Sequence, residues 1–573
     1  MEVVTHDIIV VGGGGAGIRA AIAAAQADPS LSIAMVTKVY PMRSHTVAAE
    51  GGAAACLKLD EDSLDLHAYD TIKGSDYLAD QDVVESFVEQ APREIIQMEH
   101  WGCPWSRLPD GRISQRPFGG MSAPRTCHAS DRTGFHMLHA LFQTSLKYPN
   151  IYRYDEFHVT RLVEKDGRIA GCVARDVRQG RTVAFRGRSV ILTTGGSARM
   201  FGFTTNGHIK TGDGMIMAYR LGVPLKDLEF VQFHPTGLPG TGILITEASR
   251  GEGAYLLNSE GERFMKEYAP NKMELGPRDL VSRSIVHEVE AGRGVKGPDG
   301  KSIYAHLDFR HMGEAKINDK LPMVRELALE YLKMDVVTDL LPVRPVAHYM
   351  MGGIATDIDA HTALDGLFAA GECASGSING ANRLGSNSLT ECLVFGERAG
   401  RGAATFAGDH SHVHASTLEQ AAVDEERVLK TCYLDHVEGG DRYPTIFHEL
   451  TATMDRGCGV YRTEESLRET SEKVAELRDR YRSVRLTDRS RIFNADLMHT
   501  IELGFMLEVS QCVVDGALAR KESRGGHARA DYPTRDDQNF LHHTLCYRQE
   551  DGSPRLEKAP VGKTKWEPEE RKY

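Results

Sequence analysis

The chain lacks the cysteine spacing that metal clusters need. Its ten cysteines are scattered from Cys56 to Cys546, and no two of them stand in the C-x-x-C spacing of iron–sulfur clusters and structural zinc sites. Positive charge is not in excess either, because 68 Lys and Arg stand against 80 Asp and Glu, a net charge of −12. We therefore expect no metal in this chain, no nucleic-acid partner and a reducing compartment.

Long hydrophobic runs are also missing. The most apolar N-terminal stretch, residues 8–25, is interrupted by Arg19 and by four consecutive glycines, which makes it a poor membrane span. No basic leader precedes it, so we expect a cytoplasmic chain without a secretory signal and without a direct membrane span. At about 150 residues per domain, the length of 573 residues allows three or four structural units.

Glycine is abundant, and its most informative cluster follows the first predicted strand. Residues 7–11 form a β-branched run, residues 12–17 a glycine-rich loop, and the alanine-rich stretch to residue 27 a helix. The loop matches G-x-G-x-x-G, in which the missing side chains let the backbone approach a pyrophosphate at the helix N-terminus. A second apolar strand at residues 33–36 completes a β-α-β unit, so we predict a dinucleotide site.

The end of that second strand departs from the nicotinamide version of the fold. An acidic residue usually stands there and binds the adenosine ribose, whereas this chain has Thr37 and Lys38. We take this departure as evidence against a simple NAD enzyme.

A polar segment at residues 43–52 follows, with the sequence RSHTVAAEGG. His45 stands between two hydroxyl residues and shortly before a Gly-Gly pair, in a segment that can lie against a planar ligand. We predict that a flavin is attached at His45.

The rest of the chain divides into regions of different residue composition and periodicity. We predict helices at residues 83–101 and 135–147, and short strands over 151–194. Gly- and Pro-punctuated loops run from residue 230 to 345, a strand ends at Gly371-Glu372, and helical patterns dominate after about residue 410. The charged C-terminal end is expected to be extended and surface-bound.

The loop-rich region carries residues suited to a small dianion. Arginine forks match carboxylates in two-point contacts and keep their charge at neutral pH, and histidine and threonine add further donors. The sequence alone does not show that these residues converge. They are His234, Thr246, Glu247, Arg250, Arg278, His348 and Arg383.

These residues lie in long motifs that carry a resemblance to a known family. The segments RSHT at 43–46, FHPTG at 233–237, TEASRGEG at 246–253, HYMMGG at 348–353, GANRLG at 380–385 and RKESRG at 520–525 occur in one order. Together they resemble the flavoprotein subunit of succinate dehydrogenase and fumarate reductase. The similarity runs from about residue 5 to the last residue.

The resemblance implies an α/β fold: a Rossmann-like FAD-binding domain with an inserted α+β capping domain and a C-terminal helical bundle domain. On this reading residues 1–229 and 346–405 form the FAD-binding domain, 230–345 the cap, 406–530 the helical domain and 531–573 an extended tail. It also implies an enzyme that interconverts succinate and fumarate by hydride transfer to or from FAD bonded covalently to His45, a bond that raises the flavin potential.

The family's functional residues map onto this chain as follows. The proton-transfer residue is Arg278, with Glu247 and Arg250 as its relay and His234 also in the catalytic set. The dicarboxylate contacts are His234, Thr246, His348 and Arg383, with Phe118 beside them. The implied FAD contacts are Gly12, Gly14, Gly15, Ala16, Gly17, Thr37, Lys38, Ser44, His45, Thr46, Gly51, Gly52, Asp213, Glu372, Arg383, Ser388 and Leu389.

The resemblance further implies partner chains. Electrons must leave the flavin one at a time, and this chain has no cluster ligands. We therefore expect an iron–sulfur subunit and a membrane anchor with a quinone site, which would place the chain on the inner face of the cell membrane.

Some points stay open at the level of the sequence. Fumarate-reducing members tend to carry Glu at position 50 and succinate-oxidising members Gln, so Glu50 leans slightly toward fumarate reduction. Cys127 and His128 depart from the family pattern and receive no role. The alternatives are a partner-free flavoenzyme resembling L-aspartate oxidase, which lacks a histidine matching His45, and a non-catalytic flavin-binding scaffold.

Overall fold

A five-stranded parallel sheet forms the centre of the first domain. The computed structural model describes residues 1–435 and 439–572. All four residues of the strand Ile8–Val11 are buried, as expected of a parallel sheet that helices cover on both faces. This arrangement confirms the predicted β-α-β unit. The strand order is Leu367–Ala369, Ser189–Leu192, Ile8–Val11, Ile33–Thr37 and Ile151–Asp155.

Two helices pack closely on this sheet and bring their first turns together. The helix Gly15–Ala27 lies against the helix Asn387–Asp409, and a Cβ atom at Gly400 would lie 2.3 Å from the Ala20 carbonyl oxygen. Only glycine permits this approach of the two backbones. Because a Cβ at Gly15 would also lie 3.6 Å from Cβ of Cys392, the N-terminal turns of both helices face one space beside the strand ends.

The remaining elements of this domain surround the parallel sheet. A second, four-stranded sheet has the order Glu2–Thr5, Arg181–Arg186, Arg168–Asp176 and Phe157–Lys165. A small three-stranded sheet contains Ala53–Ala54, Thr126–Cys127 and Gln115–Arg116. The other long helices are Leu64–Gly74, Gln81–His100, Thr133–Ser145 and Asp213–Arg220.

The inserted cap is built on an antiparallel sheet with its own apolar core. Its strand order is Val231–Gly237, Leu341–Met350, Ala305–Asp308 and Tyr255–Leu257. The predicted boundary at residue 345 lies inside the strand Leu341–Met350, so one strand continues from the cap into the FAD-binding domain. The cap helices are Ala248–Gly251, Met265–Tyr268, Arg278–Glu288, Glu314–Lys320 and Pro322–Leu332.

The predicted helical bundle is confirmed in the C-terminal region. Val474 and Leu477 are fully buried in the helix Glu464–Tyr481, which starts with a capping box formed by Thr463 and Ser466. The helix Ala495–Ala519 is long and apolar enough to cross a membrane, but 83% of its most apolar window is buried inside the protein, so it is a core helix. The other bundle helices are Ala415–Val428 and Tyr443–Gly457.

The segment predicted as an extended tail contains a β-hairpin. Strands His542–Arg548 and Pro554–Pro560 pair antiparallel, and the first of them also pairs with Leu225–Lys226 of the FAD-binding domain. Strands Gly353–Ala355 and Ala374–Ser375 complete this five-stranded sheet. The segment after the predicted boundary at residue 531 is therefore part of a sheet that it shares with the FAD-binding domain.

Candidate active site

The glycine-rich loop has the backbone geometry that a pyrophosphate site requires. Gly12 has φ +116°, and a Cβ there would lie 2.4 Å from the carbonyl oxygen of Thr193. A Cβ at Gly17 would lie 2.1 Å from the carbonyl oxygen of Gly12. Side chains are thus excluded where the turn closes, and the bare backbone faces the space at the helix N-terminus.

The segment around His45 is held against this loop. Two 3₁₀ turns, Pro41–Arg43 and His45–Ala48, carry it, and Thr46 Oγ1 accepts a 3.1 Å hydrogen bond from the Gly15 amide. The amide of Gly134 donates to the Ala49 carbonyl at 2.7 Å and so ties the segment to the helix behind it.

The His45 imidazole is kept neutral by its surroundings. Burial and the positive charge of Lys210 lower its pKa to about 3. A neutral imidazole retains a lone pair on one ring nitrogen, which is the form needed for a bond to carbon.

Several hydroxyl groups near these loops are buried without a hydrogen-bond partner. They belong to Ser44, Thr194 and Ser386. Buried polar groups in native proteins are normally paired, so unpaired hydroxyls beside a bare glycine loop are consistent with a polar ligand that pairs them. The loop, the hydroxyls and the neutral His45 all fit FAD.

Two arginines that line the cavity share one acceptor. Arg278, the first residue of the helix Arg278–Glu288, donates from Nη1 to Gln232 Oε1 at 3.0 Å. Arg383 donates from Nη2 to the same oxygen at 3.1 Å and from Nη1 to Ser388 Oγ at 2.5 Å. The amide nitrogen of Gln232 donates back to the Arg383 carbonyl at 2.7 Å. Gln232 therefore fixes the spacing of the two guanidinium groups.

His234 presents an N–H group to the cavity. The Thr236 amide donates to His234 Nδ1 at 3.3 Å, which makes Nδ1 an acceptor and leaves the proton on Nε2. Nε2 is buried and has no hydrogen-bond partner. The ring of His348 lies 5.2 Å from that of His234, and Thr205 Oγ1 is 2.8 Å from its Nδ1.

Carboxylate contacts balance the charge of this cluster only in part, because Glu247 pairs with Arg278 whereas Arg383 bonds to the neutral Gln232 and Ser388. Burial, with Arg278 as the next cause, lowers the pKa of His234 and of His348 well below its usual range and that of Arg383 to about 10. Nε of Arg383 is buried without a hydrogen-bond partner. Burying cations without partners is unfavourable, so this end of the cavity is suited to a ligand that carries negative charge.

Glu247 connects Arg278 to Arg250. It accepts from Arg278 Nε at 2.6 Å and from the Gly119 amide at 2.6 Å, and Arg250 Nη2 lies 3.8 Å from its other side. Burial would raise the pKa of Glu247, but the two arginines outweigh that effect and lower it. This is the order expected of a proton relay, with Arg250 at the end remote from the cavity.

One cavity brings the two halves of the site together. It extends from the glycine-rich loop and the His45 segment to His234, Arg278, His348 and Arg383. Of the residues expected from the sequence, only Gly17 and Arg250 do not line it: Gly17 packs under the loop, and Arg250 lies behind Glu247.

Comparisons with known proteins agree with this arrangement. Residues 7–389 match the family model of the FAD binding domain, and residues 447–573 match that of the fumarate reductase flavoprotein C-terminus. The chain belongs to the fumarate reductase and succinate dehydrogenase flavoprotein family. It is therefore an FAD-dependent oxidoreductase of this type.

Individual relatives align with almost the full length of this flavoprotein. It is 52% identical to the fumarate reductase flavoprotein subunit of Mycobacterium tuberculosis, over 99% of each chain. It is 41% identical to the succinate dehydrogenase flavoprotein subunit of Rickettsia conorii, over 97% of this chain and 95% of that one. A solved quinol-fumarate reductase with menaquinol molecules superposes with a TM-score of 0.95 at 49% identity, over 99% of this chain and 100% of that one.

Phe118 and Glu50 lie where the two halves of the flavoprotein site meet. A Cβ at Gly51 would lie 2.9 Å from Phe118, and one at Gly385 would lie 3.0 Å from it, so the phenyl ring is tightly enclosed. Glu50 is buried, its Oε2 has no partner, and the Thr246 amide donates to its carboxyl group. Burial, followed by the charge of Asp131, raises the pKa of Glu50 well above its usual range.

Sequence reasoning missed three polar residues that complete the flavoprotein site. Gln232 stands two residues before His234 in one strand, so strand alternation could have placed it on the same face, although a bulge between Gln232 and Phe233 disturbs that register. Lys210 forms an ion pair with Glu372, and the ring of Tyr349 lies 4.3 Å from the Arg383 guanidinium. No local sequence pattern predicts the Lys210–Glu372 ion pair or the contact of Tyr349 with Arg383.

Cys127 and His128, to which the sequence assigned no role, are buried outside the cavity. Cys127 is buried in a strand that pairs with Ala53 and Gln115, and burial raises the pKa of its thiol to about 12. His128 is buried, with its Nε2 3.4 Å from Ser114 Oγ. Neither residue lines the cavity.

Proposed function

We propose that this flavoprotein interconverts succinate and fumarate, with Arg278 as the proton-transfer residue. The observation that carries the proposal is the excess of buried cationic and N–H donors in the cavity that also contains the glycine-rich loop. Two carboxylates on a four-carbon chain supply the missing charge and accept these donors.

Binding and orientation fall to the residues around Gln232. His234, Thr246, His348 and Arg383 hold the two carboxylates, and Phe118 limits the space beside the carbon chain. Because Gln232 joins Arg278 to Arg383, a dicarboxylate bound to Arg383 is placed at a fixed distance from Arg278.

FAD, when bound, supplies the hydride donor or acceptor. Arg278 gives a proton to the substrate carbon in fumarate reduction and takes one in succinate oxidation. Glu247 and Arg250 return that proton through the contacts at 2.6 and 3.8 Å. The enclosed site keeps water away from the reacting carbons.

Turnover separates this function from its alternatives. We expect the FAD-loaded protein to reduce fumarate with a reduced artificial donor and to oxidise succinate with an artificial acceptor. Activity with L-aspartate and oxygen, but not with succinate, would contradict the proposal. Binding of FAD without any turnover would instead support a scaffold.

We also propose that His45 carries the flavin covalently. Its neutral ring beside the glycine-rich loop supports this assignment. Acid-precipitated protein should show flavin fluorescence in a denaturing gel, and the His45→Ser variant should keep bound FAD but lose both the fluorescence and succinate oxidation. A non-fluorescent wild-type band would refute the tether.

The physiological direction we propose is fumarate reduction. Glu50 favours it, and the fumarate reductase relative is 52% identical whereas the succinate dehydrogenase relative is 41% identical. The Glu50→Gln variant should shift the ratio of the two turnover rates toward succinate oxidation. An unchanged ratio would remove this support.

The partners we propose are an iron–sulfur subunit and a membrane anchor with a quinone site, on the inner face of the cell membrane. No cluster-forming set of cysteines occurs in the part of the chain that the structure describes, and the superposed relative contains menaquinol. Quinol-dependent activity should therefore require co-purified subunits, and quinol oxidation by this chain alone would contradict the proposal.

A further inference from the structure

Lys38 occupies the centre of a buried polar cluster at the other end of the cavity. Its Nζ contacts Thr211 Oγ1 at 3.1 Å, Asp213 Oδ2 at 2.7 Å and Glu502 Oε1 at 2.5 Å. An ammonium group has three N–H bonds, and these three acceptors use all of them. Lys38 therefore has no donor left for a phosphate of FAD.

The cluster joins parts of the chain that are far apart in sequence. Lys38 follows the second strand of the dinucleotide-binding unit, and Asp213 begins the helix Asp213–Arg220. Glu502 lies on the core helix Ala495–Ala519 of the helical domain. Lys38 and Asp213 line the cavity, whereas Glu502 lies behind them.

The members of the cluster are charged. Burial alone would lower the pKa of Lys38, but Asp213 and Glu502 outweigh it and raise that pKa. The pKa of each carboxyl group is lowered, because the charge of Lys38 outweighs the effect of burial. His158, Asp213 and Glu502 also have the donor atoms of a metal site, but the Lys38 ammonium already contacts both carboxylates.

Asp213 is a candidate for the role left open by the sequence. Dinucleotide folds place an acidic residue at the end of the second strand to accept a ribose hydroxyl, and this chain has Lys38 close to that point. The Lys38 side chain brings the carboxylate of Asp213 to the same strand end. Each carboxylate oxygen can accept more than one hydrogen bond, so Asp213 remains able to accept a ribose hydroxyl.

We propose that Glu502 is a positioning residue for the FAD site: it holds Lys38, and Lys38 in turn holds Asp213 as the acceptor for the adenosine ribose. The helical domain thereby helps to form a cofactor site to which it contributes no direct contact. This inference concerns FAD binding and is independent of the dicarboxylate, the proton relay and the direction of turnover.

The effect of Glu502→Gln on FAD affinity has opposite signs under the two readings. If Lys38 bound the FAD phosphates, removal of the negative charge of Glu502 would leave more of the positive charge of Lys38 uncompensated and tighten binding. If Glu502 positions Lys38 and Asp213, the same change weakens binding. In a His45→Ser background, in which FAD exchanges, we expect the dissociation constant to rise about tenfold, as for one hydrogen bond to a charged group. Equal or tighter binding overturns the proposal.

Glu508→Gln is the matched control. Glu508 lies on the same helix and pairs with Arg220, which lies on the same short helix as Asp213 but outside the cavity. We expect this variant to change the thermal midpoint without changing the dissociation constant of FAD. If Glu502→Gln behaves in the same way, the role of Glu502 is structural only and the proposal fails.

Ribose analogues test the contact itself and do not depend on the flavin. ADP should bind the His45→Ser protein more tightly than the 2′-deoxy or the 3′-deoxy analogue, by about tenfold for the hydroxyl that Asp213 accepts. In the Asp213→Asn and Glu502→Gln variants that ratio should fall toward one. Riboflavin 5′-phosphate, which lacks the adenosine, should bind all variants alike. A ratio that Glu502→Gln leaves unchanged overturns the proposal.

Discussion

The two ends of the cavity differ in whether the protein supplies partners for its buried cationic and N–H groups. At the adenosine end, all three N–H bonds of Lys38 are used by acceptors from the protein, among them the carboxylates of Asp213 and Glu502. At the dicarboxylate end, Nε2 of His234 and Nε of Arg383 are buried without hydrogen-bond partners.

This difference in the pairing of buried cations corresponds to the charge of the ligand part that each end is proposed to bind. A ribose is neutral and cannot compensate the buried charge of Lys38, so the protein supplies the counter-charges itself. A dicarboxylate brings two negative charges, and a site that awaits it can leave its cations unpaired.

The largest effect is expected from Arg278→Ala. Loss of the proton-transfer residue should lower turnover by about 10³-fold, within the range found for general acid–base groups. The dissociation constant of a non-reacting dicarboxylate such as malonate should change only slightly. Arg283→Ala on the same helix is the control, because Arg283 bonds to Asp279 and the Gly525 carbonyl, outside the cavity. Equal loss of binding and turnover would move Arg278 into the binding set.

Gln232→Leu should have the next largest effect. The substitution removes the acceptor shared by Arg278 and Arg383, and kcat/KM should fall about 100-fold because the guanidinium groups are no longer spaced correctly. In Gln232→Glu the new carboxylate would pair with both arginines, so malonate binding should be lost together with turnover. Wild-type kinetics in Gln232→Leu would show that the shared acceptor is dispensable.

A pair of charge deletions tests the contrast between the two ends directly. Lys38→Met removes the cation that two buried carboxylates share and should destabilise the apoprotein by about 3–5 kcal/mol. Arg383→Met removes a cation whose side-chain hydrogen bonds go to the neutral Gln232 and Ser388, so the apoprotein should keep its thermal midpoint or gain stability, while malonate binding weakens at least tenfold. Scanning calorimetry of the two apoproteins measures their thermal midpoints. Similar destabilisation by both substitutions would contradict the difference between the two ends of the cavity.

The smallest effect is a pH dependence with two opposite signs. The pKa values of His234 and His348 are lowered by burial, so below pH 6.5 the unfolded chain binds protons that the folded apoprotein does not. Stability of the apoprotein should therefore fall as the pH drops from 7 to 5.

A bound dianion favours the charged imidazoles and reverses that trend. Malonate affinity should rise as the pH falls, with proton uptake detectable by titration calorimetry in buffers of different ionisation enthalpy. His348→Gln should reduce the uptake. Proton release on binding would contradict the assignment of the neutral histidines.

Most of the fold was accessible from local patterns. The β-branched strand at 8–11, the glycine-rich loop and the second strand obey short-range rules, and the structure confirms them. Boundaries were less accessible, because the strand Leu341–Met350 crosses the predicted end of the cap and the segment after residue 531 contains a hairpin that pairs with residue 225. Strand pairing over such separations leaves no local pattern in the chain.

The site divides in the same way. The residue types of the dicarboxylate end, with His234, Arg278 and Arg383 in recognisable motifs, were named from the sequence. Their convergence depends on how the cap lies over the FAD-binding domain. The roles of Gln232 and Lys210 rest on contacts between distant residues, so no sequence pattern predicted them.

The sequence by itself determined the β-α-β unit and the supply of cations, because both depend on residues that are close along the chain. The tertiary structure alone decided which of those cations are neutralised. Lys38 is matched by Glu502, 464 positions later, whereas Arg383 has only the neutral acceptors of Gln232 and Ser388. Buried charge is compensated by neighbours in space, and that pairing turns one end of the cavity into a scaffold for a neutral ribose and leaves the other open to a dianion.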